Sequence, residues 1–181
     1  MTLDEKGKKI LVVDATYLGD KPNRERNAMI FSVWVKQYDA KITILTTVAA
    51  EEFYKEILLK EVFRNITFLQ LPRFKDFLPT NNVSVIFEYM VRILGIWFKL
   101  PKGIVDSFDA IYSLTAILPD VVISSIIKKR LKNPKLTVVF DNFVKTPKER
   151  GGYSIESVVP YLSFRVTLLV VRKFDLVLHQ W

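Results

Sequence analysis

The chain has 181 residues, half of them hydrophobic and a quarter charged, which is the length and composition of one globular domain. Its 27 Lys+Arg against 19 Asp+Glu give a formal charge of +8 and favour an anionic partner: nucleic acid, anionic lipid or a phosphorylated small molecule. With no cysteine and His179 as the sole histidine, disulfides, thiolate metal sites, cysteine nucleophiles and two-histidine zinc sites are excluded, and a Ser-His-Asp triad would have to use that one residue.

The N-terminal stretch "MTLDEKGKKILVV" is too acidic before a too short apolar run to read as a secretory signal. No stretch reaches the roughly 18 uninterrupted apolar residues of a membrane span. The expected location is therefore cytoplasmic, free or peripheral at a membrane, which the lack of cysteine is compatible with. The first strand is "KILVVDA", Lys9–Ala15. A dinucleotide fold would follow it with G-x-G-x-x-G, but "DATYLGDKPNRERNAM" holds one glycine, Gly19, and no Walker phosphate loop. It offers instead Lys21, Asn23, Arg24 and Arg26 at the start of a helix over 23–38, where free N–H groups and cations suit an anion. The alternative is a solvated turn with Asn23 as N-cap.

The strand "KITILTT", Lys41–Thr47, precedes a helix over 49–60, and "NITFLQL", Asn65–Leu71, follows it. The next loop, "PRFKDFLPTN", sets Arg73 and Lys75 between Phe74 and Phe77, a pattern that stacks bases or meets lipid headgroups when the rings are not simply anchors to the core. A helix over 82–100 carries its polar or small residues Ser84, Glu88, Arg92, Gly95 and Lys99 on one narrow stripe, with Glu88 and Arg92 spaced as an i,i+4 ion pair. Nearly everything else around it is apolar, more than a sheet-covering helix needs. Neighbouring elements, a partner domain or an anionic membrane surface would take the surplus.

The strand "DAIYS", Asp109–Ser113, leads to "SLTAILPD", where Ser113 and Thr115 offer hydroxyls to a sugar or phosphate. Pro119-Asp120 opens a helix over 118–132 that Lys128, Lys129, Arg130 and Lys132 close, as the helix dipole favours. Much of the positive charge thus sits dispersed at helix ends, which argues against nucleic acid as a partner. After "KLTVVF", Lys135–Phe140, the loop "FDNFVKTPKERGG" brings Asp141, Asn142, Lys145, Lys148 and Arg150 to a strand tip. Pro160 is expected to start a last helix over 160–173, and "FDLVLH", Phe174–His179, is the sixth strand.

Six mostly continuous apolar strands alternating with helices predict an α/β fold: a doubly wound, mostly parallel, six-stranded Rossmann-like sheet with helices on both faces, forming one domain over residues 1–181. Ligands of such sheets bind beyond the carboxyl ends of the strands, where the strand order reverses.

The order and spacing of these segments resemble the amino-terminal half of the group-one, family-four glycosyltransferases of the GT-B fold. "NRERNAMIFSVWVKQYDAKITILTT" is similar to the family's helix beginning G-G-a-E-R-h-a and the strand after it, with Glu25 and Arg26 matching directly. "FDAIYSLTAILPD", the turn after Phe140 with its Pro and Arg-Gly, and "YLSFRVTLLVVRKFDLVL" follow the later motifs in order. The chain departs where Pro22 and Asn23 replace two glycines, and where Tyr112, Leu114 and Asp141-Asn142 stand at strand tips that carry histidines in the family.

The resemblance implies an acceptor-side domain that helps move a sugar from a nucleotide-sugar to a glycan or lipid-linked acceptor, with no metal and no cofactor beyond that co-substrate. The donor-binding domain would lie in cis beyond Trp181 or on another chain, and without it this chain is expected to be inactive. Asp141 is the candidate catalytic carboxylate, as base or as stabiliser of cationic sugar character. Lys21, Arg24, Lys145, Lys148 and Arg150 are the cations for a leaving diphosphate. Asn23, Thr115 and Asn142 complete the candidate binding set. The competing expectation is a non-catalytic Rossmann-like binding module, or a subunit of a two-chain transferase.

Overall fold

The computed structural model describes residues 7–16, 21–71, 82–100, 104, 108–131, 134–140, 146–150 and 152–179. Six strands occur among them: β1 (Lys9–Val13), β2 (Lys41–Thr46), β3 (Ile66–Gln70), β4 (Ala110–Ser113), β5 (Lys135–Phe140) and β6 (Leu176–His179). They form one parallel sheet in the order β3-β2-β1-β4-β5-β6. The doubly wound α/β expectation therefore holds, and the strand order reverses between β1 and β4.

The register explains the near-continuous apolar strands. Ile10 and Val12 join one core with Ile42 and Ile44, while Leu11 and Val13 join another with Leu45, Ile111 and Leu136. Because side chains alternate across a strand, these cores lie on opposite faces, and each needs a helical cover. The first is covered by α1 (Lys21–Tyr38) through Ala28, Phe31 and Val35, by α2 (Val48–Ile57) through Tyr54, and by α3 (Lys60–Phe63) through Val62. The second is covered by α4 (Asn82–Phe98) through Ile96 and by α5 (Leu118–Arg130) through Ile123, Ile126 and Ile127. α6 (Ile155–Val171) extends that layer, packing Val171 with Val121 of α5 and Val138 of β5.

Local signals set most boundaries. Thr47 caps α2 by accepting the Ala50 N–H at 3.2 Å. α1 stops where Asp39 turns left-handed (φ 52°) and Ala40 N–H reaches back to the Trp34 carbonyl. α1 starts at Lys21, two residues earlier than expected, because Pro22 suits a first helical turn; Asn23 therefore lies inside that turn and not at the cap. The expected single helix over 49–60 is two helices, α2 and α3, with Leu58 and Leu59 extended between them. α6 starts at Ile155 after Ser154, not at Pro160. Its first turn closes through Val158 N–H to the Ser154 carbonyl, and the proline lies further in, where the missing N–H forfeits one bond near the helix start.

Candidate functional site

The switch point between β1 and β4 holds a buried network of charges, built around the turn Asp14–Ala15–Thr16 that leaves β1. Asp14 follows the apolar run Ile10–Val13 directly, so the strand carries its carboxylate to the carboxyl rim in a fully buried position. Arg24, in the first turns of α1, answers it with a bidentate pair: Nε donates to Oδ2 at 2.8 Å and Nη2 to Oδ1 at 2.9 Å. Tyr54 of α2 donates its hydroxyl to Oδ2 at 3.1 Å, and Thr16 donates to Oδ1 at 3.3 Å.

The other sheet face contributes as much. Asp120, in the first turn of α5, accepts from Ala15 N–H at 2.5 Å, Thr115 N–H at 3.1 Å and the Thr115 hydroxyl at 2.7 Å, tying the β1 and β4 loops together. Arg92 of α4 donates to the Ala15 carbonyl at 2.6 Å and the Thr16 carbonyl at 3.3 Å, while Glu88 holds its guanidinium at 2.7 Å. Four helices thus fix one three-residue turn. Arg24 Nη1 and Glu88 Oε2 are buried without a hydrogen-bond partner.

The charges explain each other. Burial disfavours a charged Arg24, but the adjacent Asp14 carboxylate more than offsets this and keeps the guanidinium firmly protonated. Burial and the nearby Asp14 push the Tyr54 phenol well above its usual range, so it remains a donor. Burial, and then repulsion from Asp14, hold Asp120 well above the ordinary carboxylate range despite its three donors. Two buried guanidiniums face three buried carboxyl groups, and a proton on Asp120 would make the cluster neutral.

The sequence-derived candidates distribute unevenly over this site. Arg24 and Thr115 are both in the network, but each is buried and directed at a carboxylate of the protein. Lys21 and Asn23 lie in the first turn of α1, and Arg150 ends a short 3-10 helix, Lys148–Arg150; their side chains lie outside the described part. Asp141, Asn142 and Lys145 lie outside the described residues, as does the Arg73–Phe77 segment. Beyond Lys145, Thr146 donates its N–H and hydroxyl to Glu149 at 2.8 and 2.7 Å, and Gly152, at a left-handed φ of 129°, returns its N–H to the Pro147 carbonyl. That part of the loop is closed on itself. His179 ends β6 opposite Phe140, the strand-end position expected for it.

Asp14, Tyr54 and Asp120 are the members that motif reading passes over. In the sequence Asp120 reads as an acid matched to the helix dipole, and Asp14 falls within the strand expected over Lys9–Ala15. A buried partner for "LVVD" could have been sought in the cationic helix start that follows it, which contains Arg24. No family model matches the chain, and no curated protein matches it significantly.

Proposed function

We propose that this chain is the acceptor-side domain of a glycosyltransferase, moving a sugar from a nucleotide-sugar to a sugar or lipid-linked acceptor in concert with a donor-binding domain in cis or in trans. The observation that carries the reading is the strand order. It makes β1, β4 and β5 adjacent, so the loops that begin after Val13, Ser113 and Phe140 leave one rim at the topological switch point. The loops after β4 and β5 hold two of the sequence segments on which the resemblance to the GT-B glycosyltransferases rests, "LTAILPD" and the turn after Phe140.

On this reading the acceptor hydroxyl oxygen attacks the anomeric carbon while the bond from that carbon to the diphosphate oxygen breaks. Asp141 takes the hydroxyl proton, and Lys21, Lys145 and Arg150 offset the charge growing on the leaving diphosphate. Asn23 and Asn142 hydrogen-bond sugar or phosphate oxygens. Arg24 and Thr115 act from behind: through Asp14 and Asp120 they fix the turn from which the next segment departs. Their contribution is positioning. A cytoplasmic site of action, at or near a membrane, accords with a lipid-linked acceptor.

A second reading, a non-catalytic binding module, is favoured by one observation: the buried charges at the switch point are engaged by each other. The two readings separate in one experiment. Protein purified from its native host, with any chain that accompanies it, is incubated with a panel of nucleotide-sugars and glycan or lipid-linked acceptors, and products are read by mass spectrometry. Transfer predicts a glycosylated acceptor and free nucleoside diphosphate, both lost in Asp141→Ala. Ligand binding without nucleotide release would leave the binding module, and neither would remove both.

A further inference from the structure

α4 is inside out. Its polar pair Glu88 and Arg92 is buried against the β1 turn, while Phe87, Met90, Leu94, Trp97 and Phe98 are exposed, Trp97 by 52% and Phe98 by 80%. The exposed residues recur at three- and four-residue intervals, so they form a continuous apolar face instead of scattered surface positions. α6, which packs with α4 against α5 on the same side of the sheet, repeats the pattern with Leu162, Val166 and Leu169 exposed.

Among the described side chains, the exposed charge on this side is mainly positive. Lys99, Lys129, Arg165, Arg172 and Lys173 are exposed around the two apolar faces. Among the residues of α4, α5 and α6 whose side chains are described, the only acids are Glu88 and Asp120, and both are buried. Asp175, just past α6, is ion-paired with Lys128 at 2.6 Å. The opposite side is mixed: Glu51, Glu52, Glu56 and Glu61 stand among its lysines, with pairs such as Lys55–Glu51 and Lys36–Glu61.

We propose that the α4–α6 face docks on an anionic lipid bilayer, inserting the α4 aromatic residues at the headgroup boundary with the surrounding lysines and arginines on lipid phosphates. An occupant must be both apolar and negatively charged across a broad surface, which a bilayer with acidic headgroups is. A second copy of the chain is disfavoured because it would bring two faces of the same positive sign together. No helix among the described residues is long and apolar enough to cross a membrane, so the contact is peripheral. The inference stands on exposure and charge and does not depend on sugar transfer.

The test is flotation with phosphatidylcholine vesicles, with and without phosphatidylglycerol. The expected result is binding to the acidic vesicles, at least about tenfold weaker on phosphatidylcholine alone and weakened by salt. Trp97→Glu with Phe98→Glu should lower it by about tenfold or more with an unchanged thermal melt, since both side chains are exposed. Trp97→Phe should keep binding but lose most of the quenching of tryptophan fluorescence by brominated lipid. Failure to float on either vesicle overturns the proposal, as does unchanged flotation of the double glutamate variant. A dimer by light scattering that dissociates in the double variant, without vesicle binding, would assign the face to self-association instead.

Discussion

Asp14→Asn tests whether the switch-point network holds the fold or merely decorates it. Asp14 and Arg24 are both fully excluded from solvent and joined by two hydrogen bonds of 2.8 and 2.9 Å. Charges roughly 4 Å apart attract by about 4 kcal/mol at an effective dielectric constant near 20, and removing one partner leaves the other buried and uncompensated. The expected loss is about 3–5 kcal/mol, a large share of the ~5–15 kcal/mol stability of a typical domain. At roughly 2–4 °C per kcal/mol for a chain of this size, the melting temperature should fall by about 6–20 °C.

Asp14→Leu should cost at least as much as Asp14→Asn, and Arg24→Met a similar amount by stranding Asp14. The double variant Asp14→Leu/Arg24→Met should lie well above the sum of the two, because a buried pair replaced by apolar groups is close to neutral. Urea unfolding followed by circular dichroism gives all four corners of the cycle. A single-variant loss below about 1 kcal/mol, the range of an exposed pair, would refute the reasoning, and so would additivity. If Arg24 served a ligand diphosphate directly, its replacement would weaken binding and leave stability largely intact.

Tyr54→Phe removes one donor to a carboxylate that keeps its guanidinium, and should cost about 1–2 kcal/mol in the same assay. Asp120 has a raised folded-state pKa, so its contribution is fully present below the ordinary carboxylate value and is lost as pH rises through the raised one. Urea melts over a pH series should therefore show the wild type losing ground to Asp120→Asn with increasing pH; a constant difference would remove the argument. Asp175 is held below its ordinary range, by the Lys128 hydrogen bond first and the Leu136 N–H second. Its stabilisation is present above the ordinary carboxylate value and lost as pH falls through the lowered one, so Asp175→Asn should flatten the acid limb of stability, and salt should shrink the difference. Glu88→Gln should destabilise at low and high salt alike, since the pair it breaks is buried; a salt-sensitive loss would place the pair at the surface.

The strands were legible because both faces of a parallel sheet are covered, which forces continuous apolar runs such as "KILVV" and "KLTVV". The loops that matter were legible as positions, since the rim follows from β-α alternation. The direction of side chains was not. In the sequence Glu88 and Arg92 are an i,i+4 pair on a narrow polar stripe, without the side it faces; the β1 turn offers Ala15 and Thr16 carbonyls that need donors, and the pair turns toward it. With Glu88 and Arg92 turned inward, Phe87, Met90, Leu94, Trp97 and Phe98 face outward, while Ile96 still packs in the core. Arg24 read as an available cation because nothing in its own segment announces that Asp14, ten residues earlier, is buried beneath it. The dispersed basic residues at helix ends likewise collect on one side only after α4, α5 and α6 are laid side by side.

The central proposal is that the rim beyond β1, β4 and β5 holds the glycan acceptor and meets the diphosphate of the nucleotide-sugar. Chemical-shift mapping of the labelled chain, titrated in turn with UDP-glucose, GDP-mannose and short oligosaccharides, tests it most directly. The account predicts saturable shifts concentrated in residues 15–24, 113–117 and 141–150. Shifts confined to α4 and α6, or none with any of these ligands, would contradict it.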